Sequence, residues 1–249
     1  EDPTLVQLGR NGGFQQRKTI QKIQDIEYNG RINNELVIKN TDHTSFKVDF
    51  GGTYRNKERN FDSQFFGIQE TALNAINPTS IDALSEIFTQ QNIANGFLKI
   101  NTLPADRYRG NLESLGTYIE ATGVTGKFTL QGGLRYQNDQ INVKFDVGNI
   151  PGRLGKVIKN YEKLYPSLNL KYAATEKINL RFANSYSTTL PEFKEIAPFE
   201  YVSAVGQVTR GNKDIEASLN TNYDLKFEYF PSKGQLISFT SFYKKIKDP

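Results

Sequence analysis

The sequence contains no cysteine, methionine or tryptophan, and its only histidine is His43. Without cysteine the chain forms no disulfides, offers no thiolate nucleophile and holds no cysteine-ligated metal. His43 lies directly beside Asp42, and neighbours in sequence cannot adopt the geometry of a catalytic triad. No Walker loop, Gly-x-Gly-x-x-Gly, Gly-x-Ser-x-Gly or His-Glu-x-x-His motif occurs. We therefore expect no enzyme activity, no metal site and no cofactor.

Long apolar runs are also missing. No stretch approaches the roughly 18–20 apolar residues of a membrane-spanning helix, which excludes a helical membrane protein. The 31 basic and 27 acidic residues give a net charge of +4, but both signs are interspersed along the chain. The densest basic run is the short segment 244–247, and no nucleic-acid-binding motif accompanies it. Nucleic acid is therefore not expected as a partner.

The dominant pattern that is present is alternation with a period of two, which places one set of side chains on each face of a β-strand. Between 127 and 136, Phe128, Leu130, Leu134 and Tyr136 occupy the even positions. The odd positions carry polar and charged residues, including Arg135. The same pattern recurs from Phe46, Ile178 and Tyr223 onward, and predicts strands with one apolar face and one charged face.

Eight strands are predicted, and the connections between them alternate between short and long. The predicted strands are 18–39, 45–58, 110–121, 127–147, 165–173, 177–189, 220–230 and 235–247. The short connections are 40–44, 122–126, 174–176 and 231–234, and the long ones are 59–109, 148–164 and 190–219. Within the first long connection, Ile81, Leu84, Ile87 and Phe88 predict one short helix near 80–91, with Thr79 and Asp82 as a capping box.

Alternation alone permits two architectures. A soluble all-β binding or adhesion module would turn the polar face to water, whereas an outer-membrane barrel would turn the apolar face to lipid. Short turns at one rim and long loops at the other are typical of outer-membrane barrels. Aromatic residues beside the short turns fit an interfacial girdle; they are Phe46, Phe128, Tyr172, Tyr229 and Phe230. A complete small eight-stranded barrel remains a third possibility.

Several segments resemble the barrel of TonB-dependent outer-membrane receptors. They include Leu190-Pro191-Glu192-Phe193, the run 211–215 (Gly-Asn-Lys-Asp-Ile), and the strands 165–172 and 178–182. The resemblance covers roughly 45–249. It departs from the family at Leu190, where Arg often precedes Pro-Glu-Phe, and at Lys213, where Pro is usual; the conformation of that loop is therefore the part most open to difference.

The resemblance implies an antiparallel up-and-down transmembrane β-barrel of 22 strands, of which this chain holds about eight. The chain begins without Met and ends in a strand-like segment, so we expect 1–249 to be a single partial barrel domain of a longer protein. The implied partners are outer-membrane lipid, a plug and further strands in the same protein, and the TonB energy-coupling protein. The implied location is the bacterial outer membrane, and the implied cargo is a siderophore, an oligosaccharide or a peptide.

Four arginines on the predicted charged face are the candidate ligand-contacting residues: Arg55, Arg59, Arg135 and Arg181. The alternative for each is a structural ion pair with a carboxylate on the same face, with Asp49, Asp224 and Glu228 as the expected partners.

Overall fold

The computed structural model describes residues 16–41, 44–71, 76, 83–202 and 207–248. His43 and the predicted capping box at Thr79 and Asp82 lie outside these residues. The elements are β1 (Gln16–Asn40), β2 (Thr44–Glu70), α1 (Leu84–Ile87), α2 (Gln90–Ala94), β3 (Leu98–Thr102), β4 (Asp106–Thr125), β5 (Phe128–Asp146), β6 (Leu154–Thr175), β7 (Ile178–Thr189), α3 (Phe193–Ile196), β8 (Glu200–Val202), β9 (Val208–Arg210), β10 (Ser218–Tyr229) and β11 (Ile237–Lys247).

One sheet contains all eight predicted strands. Its hydrogen-bonded order is β1-β2-β4-β5-β6-β7-β10-β11, so each strand lies beside its predecessor, and β3 is added against β2. The pairs β6–β7, β7–β10 and β10–β11 are antiparallel, with Leu180 opposite Phe227 and Phe227 opposite Phe239. The predicted all-β, antiparallel, up-and-down class is confirmed.

Two predicted boundaries are wrong or incomplete. The connection predicted at 148–164 is only 147–153, because β6 begins at Leu154. The first half of β6 departs from the alternating pattern because Lys156, Asn160 and Glu162 occupy positions on its apolar face. In the connection predicted at 59–109, β2 continues to Glu70, and two short helices replace a single helix. Thr89 separates them, since its hydroxyl caps α2 by accepting a hydrogen bond from the Asn92 N–H at 3.0 Å.

The two faces of the sheet exchange character along β4 and β5. On β5, Phe128, Leu130 and Leu134 are exposed on what we call the apolar face, while Arg135 lies on the opposite, polar face. Beyond residue 140 the assignment reverses. Ile141 and Val143 are fully buried on the continuation of the polar face, and Gln140 and Lys144 are exposed on the continuation of the apolar face.

The same reversal occurs on β4. Leu115 and Ile119 are exposed on the apolar face, but nearer the long connections Glu113 and Arg109 take those positions and Leu112 is buried behind them. On β4 and β5 the exposed apolar residues are therefore confined to the part of the strand next to the short turns, whereas on β6 they extend to its first residue, Leu154.

The chain forms two compact units. The first comprises Glu1–Gln24, Asn60–Tyr108 and Phe145–Leu154. Within its described residues, the rings of Phe61 and Tyr108 stack at 4.7 Å and are almost fully buried. The second comprises Asp25–Arg59, Arg109–Lys144 and Gly155–Pro249. Its most deeply buried residues include Ile141, Val143, Ile196 and Phe199.

Arg153 holds together the turn between β5 and β6 in the first unit. Its backbone is in the left-handed region, with φ 57°, which a non-glycine residue adopts only at a cost. Its guanidinium donates to Asp146 Oδ1 at 2.7 Å, to Asp106 Oδ1 at 3.3 Å and to the Ala105 carbonyl at 2.9 Å. Asp106 also accepts the Gly148 N–H at 2.7 Å. The side-chain contacts thus offset the strain of the turn.

Replacing Arg153 with Ala is expected to lower the free energy of local opening of 147–153 by about 1–2 kcal/mol, because three hydrogen bonds disappear while the backbone strain stays. Faster amide hydrogen exchange in 147–153 would measure this change. The matched control is Arg107→Ala, which removes one exposed ion pair to Asp62 at 3.1 Å. Equal effects of the two substitutions would show that Arg153 has no special role in the turn.

Candidate functional site

A cavity of about 590 Å³ lies within the second unit, against the polar face of β2, β4 and β5. Arg55, Lys57 and Arg59 reach it from alternate positions of β2, and alternation is what places all three on one face. Arg135 enters from β5. The rest of the lining is mainly apolar or hydroxyl-bearing and includes Leu112, Ile141 and Phe193, but it also contains the carboxylates of Asp139 and Glu192. The cavity therefore combines a cationic wall with an apolar one.

The β2 cations are already paired with carboxylates of β1. Arg55 binds both oxygens of Glu27, at 2.9 and 3.1 Å, and Arg59 binds both oxygens of Asp25, at 2.7 and 2.6 Å. Lys57 lies 3.8 Å from Asp25. Two-pronged contacts of this kind fix the orientation of a guanidinium. For Arg55 and Arg59 the partners are therefore β1 residues and not the expected Asp49, Asp224 or Glu228.

Arg135 differs from these residues. Its Nε donates to Gln137 Oε1 at 3.0 Å and its Nη2 donates to Thr53 Oγ1 at 2.8 Å. Across the ranges that the structure describes, no carboxylate lies within ion-pairing distance of it. Gly116 provides the space for this guanidinium, since a Cβ at Gly116 would clash with Arg135 Nη2. Arg135 is therefore held at the cavity by neutral acceptors, without a direct ion pair to a carboxylate in the described residues.

Gln137 connects Arg135 to a buried carboxylate. Its amide nitrogen donates to Asp139 Oδ1 and Oδ2, at 2.9 and 3.0 Å, and to Ser114 Oγ at 3.2 Å. Asp139 is 1% exposed. Arg135, Gln137 and Asp139 occupy alternate positions of β5, so the period that identified Arg135 could also have identified the other two.

Arg181 lies away from this cavity. It contacts a smaller cavity of about 360 Å³, together with Lys171, Asp224 and Lys226. Its Nε donates to Glu228 Oε2 at 2.8 Å, and Lys226 binds the other oxygen of Glu228 at 2.9 Å. Three of the four predicted arginines thus share one cavity, and Arg181 belongs to a separate ion cluster with a predicted partner, Glu228.

Residues 186–193, which run from the end of β7 into α3, form the remaining wall of the main cavity. α3 begins with a capping box in which the Glu192 N–H donates to Glu195 Oε2 at 2.8 Å. Phe193 is 5% exposed and packs onto Gly110, where any Cβ would overlap its ring. The buried side chain of Phe193 fixes the segment, and this brings Leu190, Pro191 and Glu192 to the cavity. Leu190 is one of the two positions that depart from the family pattern.

Other kinds of site are not found where the structure can be described. Within 16–41, 44–71, 76, 83–202 and 207–248, no three acidic, histidine or cysteine side chains are grouped as metal ligands would be. In the same residues, no helix has the length and apolar character needed to cross a membrane.

Comparison with known proteins supports one family. The family model described as TonB dependent receptor-like, beta-barrel, matches residues 3–249. A search of curated proteins gave no match. The protein is similar in structure to the ferric yersiniabactin uptake receptor FyuA from Yersinia pestis, with a TM-score of 0.56 and 14% identity over 93% of this chain and 30% of that one.

Two further solved structures show the same fold. The ferric citrate transporter FecA gives a TM-score of 0.60 and 13% identity over 97% of this chain and 30% of that one. The ferric-catecholate import receptor Fiu from K12 E. coli gives 0.57 and 16%, over 91% and 32%. The chain spans about a third of the length of these solved structures. All three carry names of receptors or transporters rather than of enzymes.

The family match extends over almost the whole chain, and the strand order, the antiparallel pairing and the exposed apolar face are those of a barrel wall. The chain belongs to the TonB-dependent receptor family and represents part of its β-barrel.

Proposed function

We propose that this chain forms part of an outer-membrane receptor that imports a scarce nutrient with energy supplied through TonB. The family match supports the receptor role. The chain spans only about a third of the solved structures it resembles, so the proposal assigns the plug, the remaining strands and the contact with the TonB protein to other parts of the receptor. On this proposal the present strands supply lipid contact and one wall of the ligand path.

The apolar band supports a location in the outer membrane. Leu130 on β5, Leu225 on β10 and Phe239 on β11 are 50%, 57% and 72% exposed on the same face of one sheet. A contiguous apolar surface of this size is costly in water and is the expected surface for lipid contact. A folded monomer obtained without detergent would favour a soluble all-β binding module and would contradict this assignment.

The proposed ligand chemistry rests on the environment of Arg135. The guanidinium of Arg135 is partly buried and has no carboxylate partner in the described residues. It can therefore bind an anionic oxygen of a ligand without first breaking an ion pair. The apolar wall formed by Leu112, Ile141 and Phe193 can cover the rest of such a ligand. The cavity therefore favours an anionic nutrient, such as a ferric complex of carboxylate or catecholate groups, over a neutral oligosaccharide.

The test measures the binding of ferric citrate, a ferric catecholate complex and a neutral oligosaccharide to the intact receptor. Arg135→Gln is expected to weaken binding of the preferred anionic complex by about tenfold, which corresponds to the loss of one charge-assisted contact. Arg181→Gln is the matched control, because it removes the same charge from the polar face outside the cavity. Preference for the neutral oligosaccharide, or equal losses in both variants, would contradict the proposed site.

A further inference from the structure

Asp139 is a buried carboxylate in the wall of the main cavity, with 1% of the residue exposed. Both of its oxygens accept hydrogen bonds from the side-chain nitrogen of Gln137, at 2.9 and 3.0 Å. In the part of the chain that the structure describes, no basic side chain forms an ion pair with it. A buried carboxylate without a cation depends on its hydrogen bonds, because an unsatisfied charge in the interior is costly. Asp139 therefore holds the nitrogen of the Gln137 amide toward itself.

The two charged neighbours of Gln137 set the direction of its amide group. An ionised carboxylate only accepts hydrogen bonds, and a guanidinium only donates them. Asp139 therefore requires the nitrogen of the amide, and Arg135 requires its oxygen. The structure has this arrangement, since Arg135 Nε donates to Gln137 Oε1 at 3.0 Å. One orientation of the amide satisfies both charged neighbours, and the reverse orientation satisfies neither.

Arg135 is held through the same two nitrogens as the other arginines of the cavity, but by neutral oxygens. In Arg55 and Arg59, Nε and Nη2 both bind one carboxylate, at distances from 2.6 to 3.1 Å. In Arg135, Nε binds the amide oxygen of Gln137, and Nη2 binds the hydroxyl of Thr53. Its Nη1 forms no hydrogen bond with any described residue. These contacts orient the guanidinium, preserve its charge and leave one nitrogen for a ligand.

The carboxylate that supports this arrangement is kept away from Arg135. Arg135, Gln137 and Asp139 occupy alternate positions of β5, so about 13 Å of strand separates the first from the last. A complete amide group, with a hydrogen bond on each side of it, lies between the two charged groups. Their attraction is therefore weaker than in a direct ion pair. Asp139 can orient Gln137 without neutralising Arg135.

A second glutamine–carboxylate pair on the same face lacks the connection to an arginine. Gln131, which also lies on the polar face of β5, donates from its side-chain nitrogen to Glu120 Oε1 at 2.6 Å. The oxygen of this amide accepts a hydrogen bond from the Asn169 side chain at 3.3 Å, which is a neutral donor. Neither Gln131 nor Glu120 is part of the lining of the main cavity. The two pairs share their chemistry and differ in what the amide oxygen meets.

We propose that Gln137 determines the preference of the main cavity for an anionic ligand, and that Asp139 is the positioning residue that fixes the Gln137 amide. Gln137 holds the Arg135 guanidinium through a neutral oxygen, so the positive charge stays available to a carboxylate or catecholate oxygen of the ligand. A glutamate at position 137 would fill the same space but would neutralise Arg135. This inference rests on the anionic ligand proposed above and adds the residues that preserve the charge for it.

The experiment exchanges the two functional groups in the intact receptor, as Gln137→Glu combined with Asp139→Asn. The exchange keeps the net charge and a hydrogen bond between the two positions, because the new amide can donate to the new carboxylate. It also places a carboxylate against Arg135 Nε, as in the pairs of Arg55 and Arg59. The affinities for ferric citrate and for a ferric catecholate complex are expected to fall by about tenfold, the loss of one charge-assisted contact.

The matched control is the same exchange at the second pair, Gln131→Glu combined with Glu120→Gln. It moves a carboxylate across one hydrogen bond on the polar face without bringing it to Arg135. Both affinities should change by less than about twofold, because a charge that is not in contact is screened. Equal losses from the two exchanges would overturn the inference, since the effect would not depend on contact with Arg135.

Asp139→Asn alone is an independent test that adds no charge next to Arg135, and it applies even where the exchange impairs insertion. If Asp139 were only a distant countercharge, its removal would strengthen the binding of an anion. As a positioning residue, its removal frees the Gln137 amide to turn its nitrogen toward Arg135 Nε. The affinity for both ferric complexes is then expected to fall by about fivefold, the contribution of one hydrogen bond. Unchanged or stronger binding would overturn the inference.

Chemical modification of Arg135 provides a readout that needs no nutrient. Phenylglyoxal reacts with guanidinium groups, and mass spectrometry of the peptide that contains Arg135 measures its rate, with Arg181 as the internal reference. The exchange at 137 and 139 should slow the modification of Arg135 relative to Arg181. If the wild type binds neither ferric complex but the modification is slowed, the proposed ligand class is wrong and the role of Gln137 stands. If the wild type binds them and the exchange changes neither affinity nor modification, only this inference is wrong.

Discussion

Replacing Gly211 with Ala is expected to detach the 190–217 connection from its packing site. A Cβ at Gly211 would overlap the Ala197 carbonyl oxygen and would lie 2.8 Å from the Lys194 carbonyl oxygen. Both obstacles are backbone atoms, so no side-chain rotation can relieve the clash. The Gly211 N–H also donates to the Phe199 carbonyl at 3.2 Å, and the Asn212 N–H donates to the Glu195 carbonyl at 2.6 Å. Moving the backbone would break both hydrogen bonds.

We expect Gly211→Ala to lower the stability of this packed segment by about 3 kcal/mol. This value is at the upper end for overpacking because Ala197 and Phe199 are fully buried. Hydrogen exchange of the amides in 193–199 and 211–212 measures it directly. Nutrient binding should fall in parallel, since Leu190, Pro191 and Phe193 are part of the cavity wall.

Gly132→Ala is the matched control for Gly211→Ala. A Cβ at Gly132 would meet nothing within 4 Å, and its backbone is not left-handed. It should change stability by about 0.5 kcal/mol or less, as is usual for surface substitutions. If Gly211→Ala behaves like Gly132→Ala, the close contact between the two parts of the connection does not exist.

Local alternation was sufficient to predict the strands. The eight main strands and the side-chain parity of β5 and β10 follow from a period of two, whereas the pairing of Arg181 with Glu228 depends on the register of β7 against β10. β3 could not be predicted in this way, because Leu98–Thr102 is short and is held only by pairing with the distant end of β2. The early part of β6 could not be predicted in this way either, because Lys156, Asn160 and Glu162 interrupt its apolar face.

The contacts of the candidate site were also only partly predictable from local sequence patterns. Sequence position placed Arg55, Arg59 and Arg135 on one face, but it could not separate arginines with carboxylate partners from the one without. Asp25 and Glu27 occupy a predicted strand, and only the alignment of β1 against β2 sets them beside Arg59 and Arg55. Similarly, the fit of Phe193 onto Gly110 joins residues far apart in sequence. Contacts that depend on register and loop packing are therefore the part that requires a structure.

The second large effect is expected at Glu216, which ties the same connection to β6. Lys159 Nζ lies 2.9 Å from Glu216 Oε1, and Tyr161 donates its hydroxyl hydrogen to Glu216 Oε2 at 2.9 Å. The Lys159 side chain is only 7% exposed, whereas that of Glu216 is 60% exposed. Glu216→Gln would leave a buried ammonium without its carboxylate. We expect the substitution to lower the stability of this connection by about 2 kcal/mol. This is less than the cost of breaking a fully buried ion pair, because water reaches Glu216.

Hydrogen exchange of the amides in 212–217 measures this loss, and Glu35→Gln provides the control. Glu35 binds Lys47 at 2.7 Å, but both side chains are about half exposed, so its replacement should cost well under 1 kcal/mol. If the two substitutions had equal effects, burial of Lys159 would contribute nothing.

The Glu216 contact also predicts a direction of pH dependence. Glu216 and Tyr161 both lie on the side of the long connections, away from the short turn that follows β6. The hydrogen bond from Lys159, followed by that from Tyr161, holds the pKa of the Glu216 carboxyl below its ordinary value of 4.5. Burial, followed by the hydrogen bond to Glu216, raises the pKa of Tyr161, so its hydroxyl keeps its proton throughout the acid range. Tyr161 therefore contributes no titration of its own.

A carboxyl whose pKa is lowered by folding stabilises the folded form above its unfolded pKa, and that contribution is lost as the pH falls through the folded value. Protection of 212–217 should therefore be constant from pH 7 to about pH 5, and should fall below about pH 4.5 as Glu216 becomes protonated. In Glu216→Gln the same amides should be less protected at neutral pH and should show no further loss in acid. A variant that still loses protection below pH 4.5 would place the acid sensitivity of this connection at another carboxyl group.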